Sequence, residues 1–241
     1  MNFADPYLKT SRAKEHLEVL RQELTAFHES KPCQFHSQDD PLSRFCRVDV
    51  RIKDTPDRIS LIVGDVFYNL RSALDQLVWC LAKLTVPYPK GTQFPILEQR
   101  DHDRIKRQTS GIPTEAAAII ESLQPYNRGD IATIKNNLLW RLNKMCNIDK
   151  HMRIPVHSSV VDFFLPESIV GSSHFDNCGV MNIPLSLKSK LKSYIALNPD
   201  VSFKVVFGDS FWEVECDLEG IDAIYDFVAN NVIPRFARFF K

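Results

Sequence analysis

DRISLIVGDVFYNLRSALDQLVWCLAK, residues 57–83, is the stretch whose reading decides the fold. Ile59, Ile62, Val63, Val66, Phe67, Leu70, Ala73, Leu74, Leu77, Val78 and Leu81 recur at helical spacing and cover a wide arc of the wheel. An arc that broad has to be covered on several sides, so the segment is predicted as a central helix. Polar groups nevertheless interrupt it. Asp65, Asn69, Ser72 and Gln76 form one stripe, and Arg71 and Asp75 are an i,i+4 pair about a quarter turn away.

Outward from this helix the pattern stays mostly helical up to His151. Ala13, Leu17, Leu20, Leu24 and Phe27 lie on one face of a helix over Ser11 to Ser30, which Lys31-Pro32 ends. Val48, Val50 and Ile52 alternate with Asp49, Arg51 and Lys53, the mark of a strand with one wet face, half of a hairpin. Pro87 and Pro89 follow the central helix, and Gly91 to Ile96 reads as an extended loop laid on the core. Arg100 to Gln108 is dense in mixed charge and reads as a solvated loop or helix start. Pro113 to Leu123 is a short helix closed by Gln124-Pro125. Asp130 is a plausible N-cap for a helix reaching His151, with Ile131, Ile134, Leu138, Leu142, Met145 and Ile148 buried and Trp140, Asn143, Asn147 and His151 on an adjacent face.

After Pro155 the period changes to two. Strands are expected over Ser159–Leu165, Asn177–Ile183, Val201–Phe207 and Phe211–Asp217, the last two joined across Gly208, Asp209 and Ser210, with Trp212, Val214 and Cys216 on one face. A final amphipathic helix begins near Ile221, and Pro234 kinks or ends it. The expected class is α+β: a helical core with an appended, mainly antiparallel sheet and a C-terminal helix. One domain over 1–241 is expected, with the helical core and small hairpin in 11–153 and the sheet and last helix in 154–241.

With 30 basic and 30 acidic residues the chain is formally neutral, so no global attraction to nucleic acid or an anionic membrane is implied. Six cysteines (Cys33, Cys46, Cys80, Cys146, Cys178, Cys216) form no CxxC pair, which fits a reduced cytoplasmic protein. Asp5 and Pro6 interrupt any apolar signal core, and the best apolar run, Leu77 to Ala82, is far shorter than the roughly 20 residues a bilayer needs. No membrane association is expected.

The chemistry-bearing residues gather in two constellations, 69–76 and 147–151. Charged and amide groups within apolar helices need partners, and the two helices could supply them to each other. Arg71 offers a planar fork of donors for phosphate or carboxylate, and His151 can exchange protons near neutral pH. They are the candidate catalytic pair. Asn69, Asp75, Gln76, Asn147, Asp149 and Lys150 are the candidate binding residues, with Asn143 beside them. The competing reading makes Arg71 and Asp75 an intrahelical ion pair and the asparagines partners of backbone groups.

The same segments carry a resemblance. Leu70-Arg71-Ser72-Ala73-Leu74-Asp75 with Leu77-Val78-Trp79, and Asn147-Ile148-Asp149-Lys150-His151, resemble the paired hallmarks of a widespread bacterial and phage family of uncharacterised activity. Gly64-Asp65, Gln93-Phe94-Pro95-Ile96 and Leu123-Gln124-Pro125-Tyr126 extend the likeness over about residues 11–153. The resemblance implies a helical core with an appended sheet and names no activity. More distantly the chain is similar to HEPN-type helical domains, many of them metal-independent ribonucleases, whose signature is an arginine followed four to six residues later by a histidine. Here those positions hold Asp75, Gln76 and Leu77. Glutamine is no general acid or base, so His151 would have to substitute.

No HExxH or spaced Cys/His set, GxSxG, P-loop or GxGxxG occurs, and neither a metal nor a cofactor is expected. His16, His28, His36, His102 and His174 are scattered and read as surface groups. The tail from Arg235 to Phe240 mixes basic and aromatic residues; packing on the body is favoured over clamping a single strand of nucleic acid. Two functions are carried forward. One is a HEPN-like RNA-directed protein, a ribonuclease or an inactive relative, with Arg71 on phosphate and His151 as acid/base. The other is a non-catalytic protein-interaction module of a bacterial or phage system. RNA, a protein partner and a second copy of the chain are the partners considered.

Overall fold

The computed structural model describes residues 4–40, 42, 44–165, 173–176, 180–196, 201–209, 211 and 213–240. Cys178, Ser210 and Trp212, and the start of the strand expected from Asn177, lie outside the described residues. Helices dominate the chain up to His151, and two antiparallel sheets and a C-terminal helical segment complete an α+β fold. Internal packing divides the chain into two compact units. The first comprises 1–21, 58–155 and 207–241, and the second 22–57 and 156–206.

The first unit is built on α2, Asp57–Ala82, about 39 Å long at the usual rise per residue. All eleven of its predicted apolar positions are buried. Helix α1, Ala4–Glu29, begins earlier than expected and contributes buried Ala13, Leu17 and Leu20 to this unit. The charged run forms a short helix, α3, His102–Gln108, because the Asp101 carboxylate accepts from the Arg104 N–H at 2.9 Å and caps it. Helix α4 spans Thr114–Ser122.

The single helix expected from Asp130 to His151 is corrected to two. Asp130 caps only α5, Ile131–Lys135. Asn137 then starts α6, Leu138–His151, by accepting from the N–H groups of Leu139 at 2.9 Å and Trp140 at 3.2 Å. An asparagine whose side chain competes for backbone donors favours a cap over a helix interior. The unit closes with α8, Leu218–Asp226, capped by Asp217, then a π-helical turn, Phe227–Val232, and a 3-10 stretch, Ile233–Phe240, across Pro234. Phe236 in that stretch is fully buried and Phe239 is partly so, which leaves the tail packed on the protein.

In the second unit β1, Cys33–Asp40, and β2, Phe45–Ile52, form the expected hairpin, and β5, Val180–Pro184, adds to the free edge of β2 with Val48 opposite Met181. The alternating residues Cys46, Val48 and Val50 pack with Ile183 and with Leu191 of α7, Lys188–Ala196. Beside these strands lie β3, Val156–Leu165, paired with β4, Ser173–Asp176. Strand β6, Val201–Asp209, begins in this unit, where the Phe203 ring stacks on His28 and meets Phe27 edge-on. The end of β6 belongs to the first unit and pairs there with β7, Val214–Cys216. Gly208 makes this pairing possible. Its φ is +101° and a Cβ would strike the Val214 carbonyl, so only glycine fits.

Candidate functional site

Arg71 lies inside the first unit. One guanidinium nitrogen, Nη2, donates to the Phe94 carbonyl at 2.7 Å and forms an ion pair with Asp75 Oδ1 at 3.0 Å. The same Asp75 oxygen accepts from the Phe94 N–H at 2.9 Å. One turn of α2 thus holds both backbone groups of a residue in the loop Gly91 to Ile96, whose own hydrogen bonds no sheet or helix satisfies. Burial pushes Arg71 below its ordinary value, and Asp75 partly offsets this. Burial likewise pushes Asp75 up, against the pull of Arg71 and of the Phe94 N–H. Arg71 is 6% exposed and Asp75 34%. Nη1 of Arg71 and Oε1 of Gln76 are buried without a hydrogen-bond partner.

The other candidates make no hydrogen bond to this clamp, although Lys150 acts on Asp75 through its charge. Asn69 is buried and donates to the Asp65 carbonyl of its own helix at 2.8 Å. Asp149 lies against Gly64, where an added Cβ would stand 2.7 Å from its Cγ, so α2 and α6 approach closely at this point. Asp149 is raised above its ordinary value by burial and then by the nearby Asp65 carboxylate. Lys150 is exposed, and its charge favours ionised Asp75 and Cys146. His151 is exposed at the end of α6, and among the described residues its side chain has no hydrogen-bond partner. No hydrogen bond joins Asn69, Arg71 or Asp75 to Asn147, Asp149 or His151, so the composite arrangement expected from the sequence does not form as a bonded network. The i,i+4 ion pair of Arg71 and Asp75, the competing reading, is present.

A groove of about 810 Å³ in the first unit collects a different set. Buried Ile96 and Leu97 lie at its base. Glu98 to Arg104 line it as well, together with Asn143 and Asn147 of α6. Several lining groups are already engaged. Glu98 accepts from the Trp140 indole N–H at 2.8 Å, Asp101 caps α3, and Arg100 pairs with Glu121 at 3.1 Å. Among the described residues no hydrogen bond reaches the side chains of Asn143 and Asn147. Of the stripe Trp140, Asn143, Asn147 and His151 in the sequence, the two asparagines line this groove. The stretch from Glu98 to Arg104 shows only mixed charge in the sequence, and periodicity carries no signal that would bring it to one groove with α6.

Among the described residues no group of three or more His, Cys, Asp or Glu could hold a metal ion. No family model, curated protein or solved structure matches the chain.

Proposed function

We propose that this chain is a non-catalytic interaction module, and not a metal-independent ribonuclease. The observation that carries the reading is the burial of Arg71 in a clamp on Phe94. An arginine that holds a scissile phosphate has to present its fork to the ligand, whereas this one bonds inward through Nη2 to Phe94 and Asp75. A general acid/base must also come within hydrogen-bond reach of the reacting group, and His151 shares no hydrogen bond with the arginine. The even charge of the chain supports a protein partner over a polyanion. Among the described residues five cysteines are free and four of them are buried, which supports a reducing, cytoplasmic setting. Among the described residues no helix is long and apolar enough to cross a membrane.

Incubation of the purified full-length chain with total cellular RNA, beside thermal melts of Arg71→Ala and His151→Ala, tests this. Intact RNA, a lowered melting temperature for Arg71→Ala and an unchanged one for His151→Ala are expected. Cleavage by the parent that both substitutions abolish, with both melting as the parent does, would overturn it.

A further inference from the structure

We infer that the groove between Glu98–Arg104 and α6 binds a peptide segment in extended conformation, held through its main chain by Asn143 and Asn147. The inference rests on the interaction-module reading and names the class of partner and its site.

Three observations carry it. First, Asn143, half-buried, and Asn147, exposed, both line the groove, and neither side chain has a hydrogen-bond partner among the described residues. A carboxamide presents a donor and an acceptor side by side, the complement of a backbone N–H and C=O. Second, the two residues stand four apart on α6, one turn on the same face, about 6 Å along the helix axis. An extended chain presents equivalent main-chain groups every second residue, about 6.8 Å apart, so two carboxamides can bond alternate residues of one strand. Third, the charged lining is mixed: Arg100 and Arg104 stand against Glu98, Asp101 and Asp103. That balance offers no net attraction for a phosphodiester chain, which binds through an excess of positive charge. It suits a peptide whose side chains carry both signs. His102, Asp103 and Arg104, which have no hydrogen-bonding side-chain partner of their own, would read those side chains.

The test uses the full-length protein and phage-displayed random dodecapeptides as the probe, with a uridine homopolymer RNA as the alternative ligand. Enriched peptides are synthesised and titrated against the parent, Asn143→Ala and Asn147→Ala. They are also remade with N-methyl groups on alternate backbone nitrogens. Each alanine variant is expected to bind about tenfold more weakly, the loss of two modest hydrogen bonds. One of the two N-methyl registers should lose binding, because only one places its N–H groups against the asparagines. Both variants should melt no lower than the parent, since the side chains have no internal partner and alanine is the better helix former. No enrichment, or peptides indifferent to both variants, overturns the proposal. RNA that binds the parent and is lost from both variants would likewise overturn it, by giving the groove to a nucleic acid. RNA cleavage dependent on Arg71 would instead sink the interaction-module reading, whatever the asparagine variants show.

Discussion

Arg71 shows how one residue can look like chemistry and serve architecture. Its guanidinium and the Asp75 carboxylate hold the two backbone groups of Phe94, so removing the arginine leaves the Phe94 carbonyl without its donor and the Asp75 carboxylate without its counter-charge. Arg71→Ala is expected to lower stability by about 1–3 kcal/mol in urea unfolding, and Arg71→Lys to recover only part, because a lysine amine lacks the planar fork. Full recovery by lysine would show that charge alone matters there. Asp149 makes a second, pH-dependent case. Burial and the neighbouring Asp65 raise its folded-state value above the ordinary 3.8, so its contribution is fully present below about that pH and is lost as pH rises through the raised value. It also sits in the last turn of α6, where the helix dipole disfavours a negative charge. Asp149→Asn should therefore be more stable than the parent at neutral pH, and the gain should close on acidification toward 3.8. A gain that grows toward acid would contradict this assignment.

At the scale of elements, the approach of α2 and α6 depends on the absence of a side chain at Gly64. Glycine in a helix interior costs about 0.5–1 kcal/mol relative to alanine, so its presence in the middle of α2 asks for a reason, and the Asp149 carboxylate against its Cα supplies one. Gly64→Ala is expected to destabilise by about 1–2 kcal/mol through overpacking. In an Asp149→Ala background the same change should turn stabilising by up to about 1 kcal/mol, a reversal of sign that a double-mutant cycle by urea unfolding reads directly. Additive effects would remove the contact from the account. The elements themselves were unequally legible. The breadth of apolar burial on α2 and the alternation at Cys46, Val48 and Val50 are properties of the local pattern, and both elements form where expected. The break at Asn137 turns on one side chain capping α6, which a continuing apolar period conceals. Strand β1 owes its form to pairing with β2, since Gln34, His36, Gln38 and Asp39 carry little strand preference. The candidate site divides in the same way. The Arg71–Asp75 pair follows from helix spacing, but its hold on Phe94 follows from the path of a loop, and that is a tertiary fact.

For the whole molecule, the decisive feature is that neither unit is a continuous stretch of chain. The backbone passes between them after residues 21, 57, 155 and 206. The change of period near Pro155, which looks like a boundary in the sequence, therefore separates no independent piece. Ending the chain at Arg153 would remove Phe207, Val214, Ile221, Ile224, Val228, Val232, Ile233 and Phe236 from the first unit, all of them buried. At about 1.5–3 kcal/mol for each large apolar side chain, the loss is comparable to or larger than the roughly 5–15 kcal/mol by which a domain of this size is stable. The second unit would lose β3, β4, β5, α7 and the start of β6, leaving only the end of α1 and the hairpin of β1 and β2, a form marginally stable at best. A fragment of residues 1–153 is thus expected to keep helical circular dichroism yet show no cooperative thermal transition and poorly dispersed amide resonances. The full chain should melt cooperatively under the same conditions. A fragment with a sharp transition and a dispersed spectrum would show that the helices up to His151 make a self-sufficient core, and that the C-terminal helical segment only decorates it.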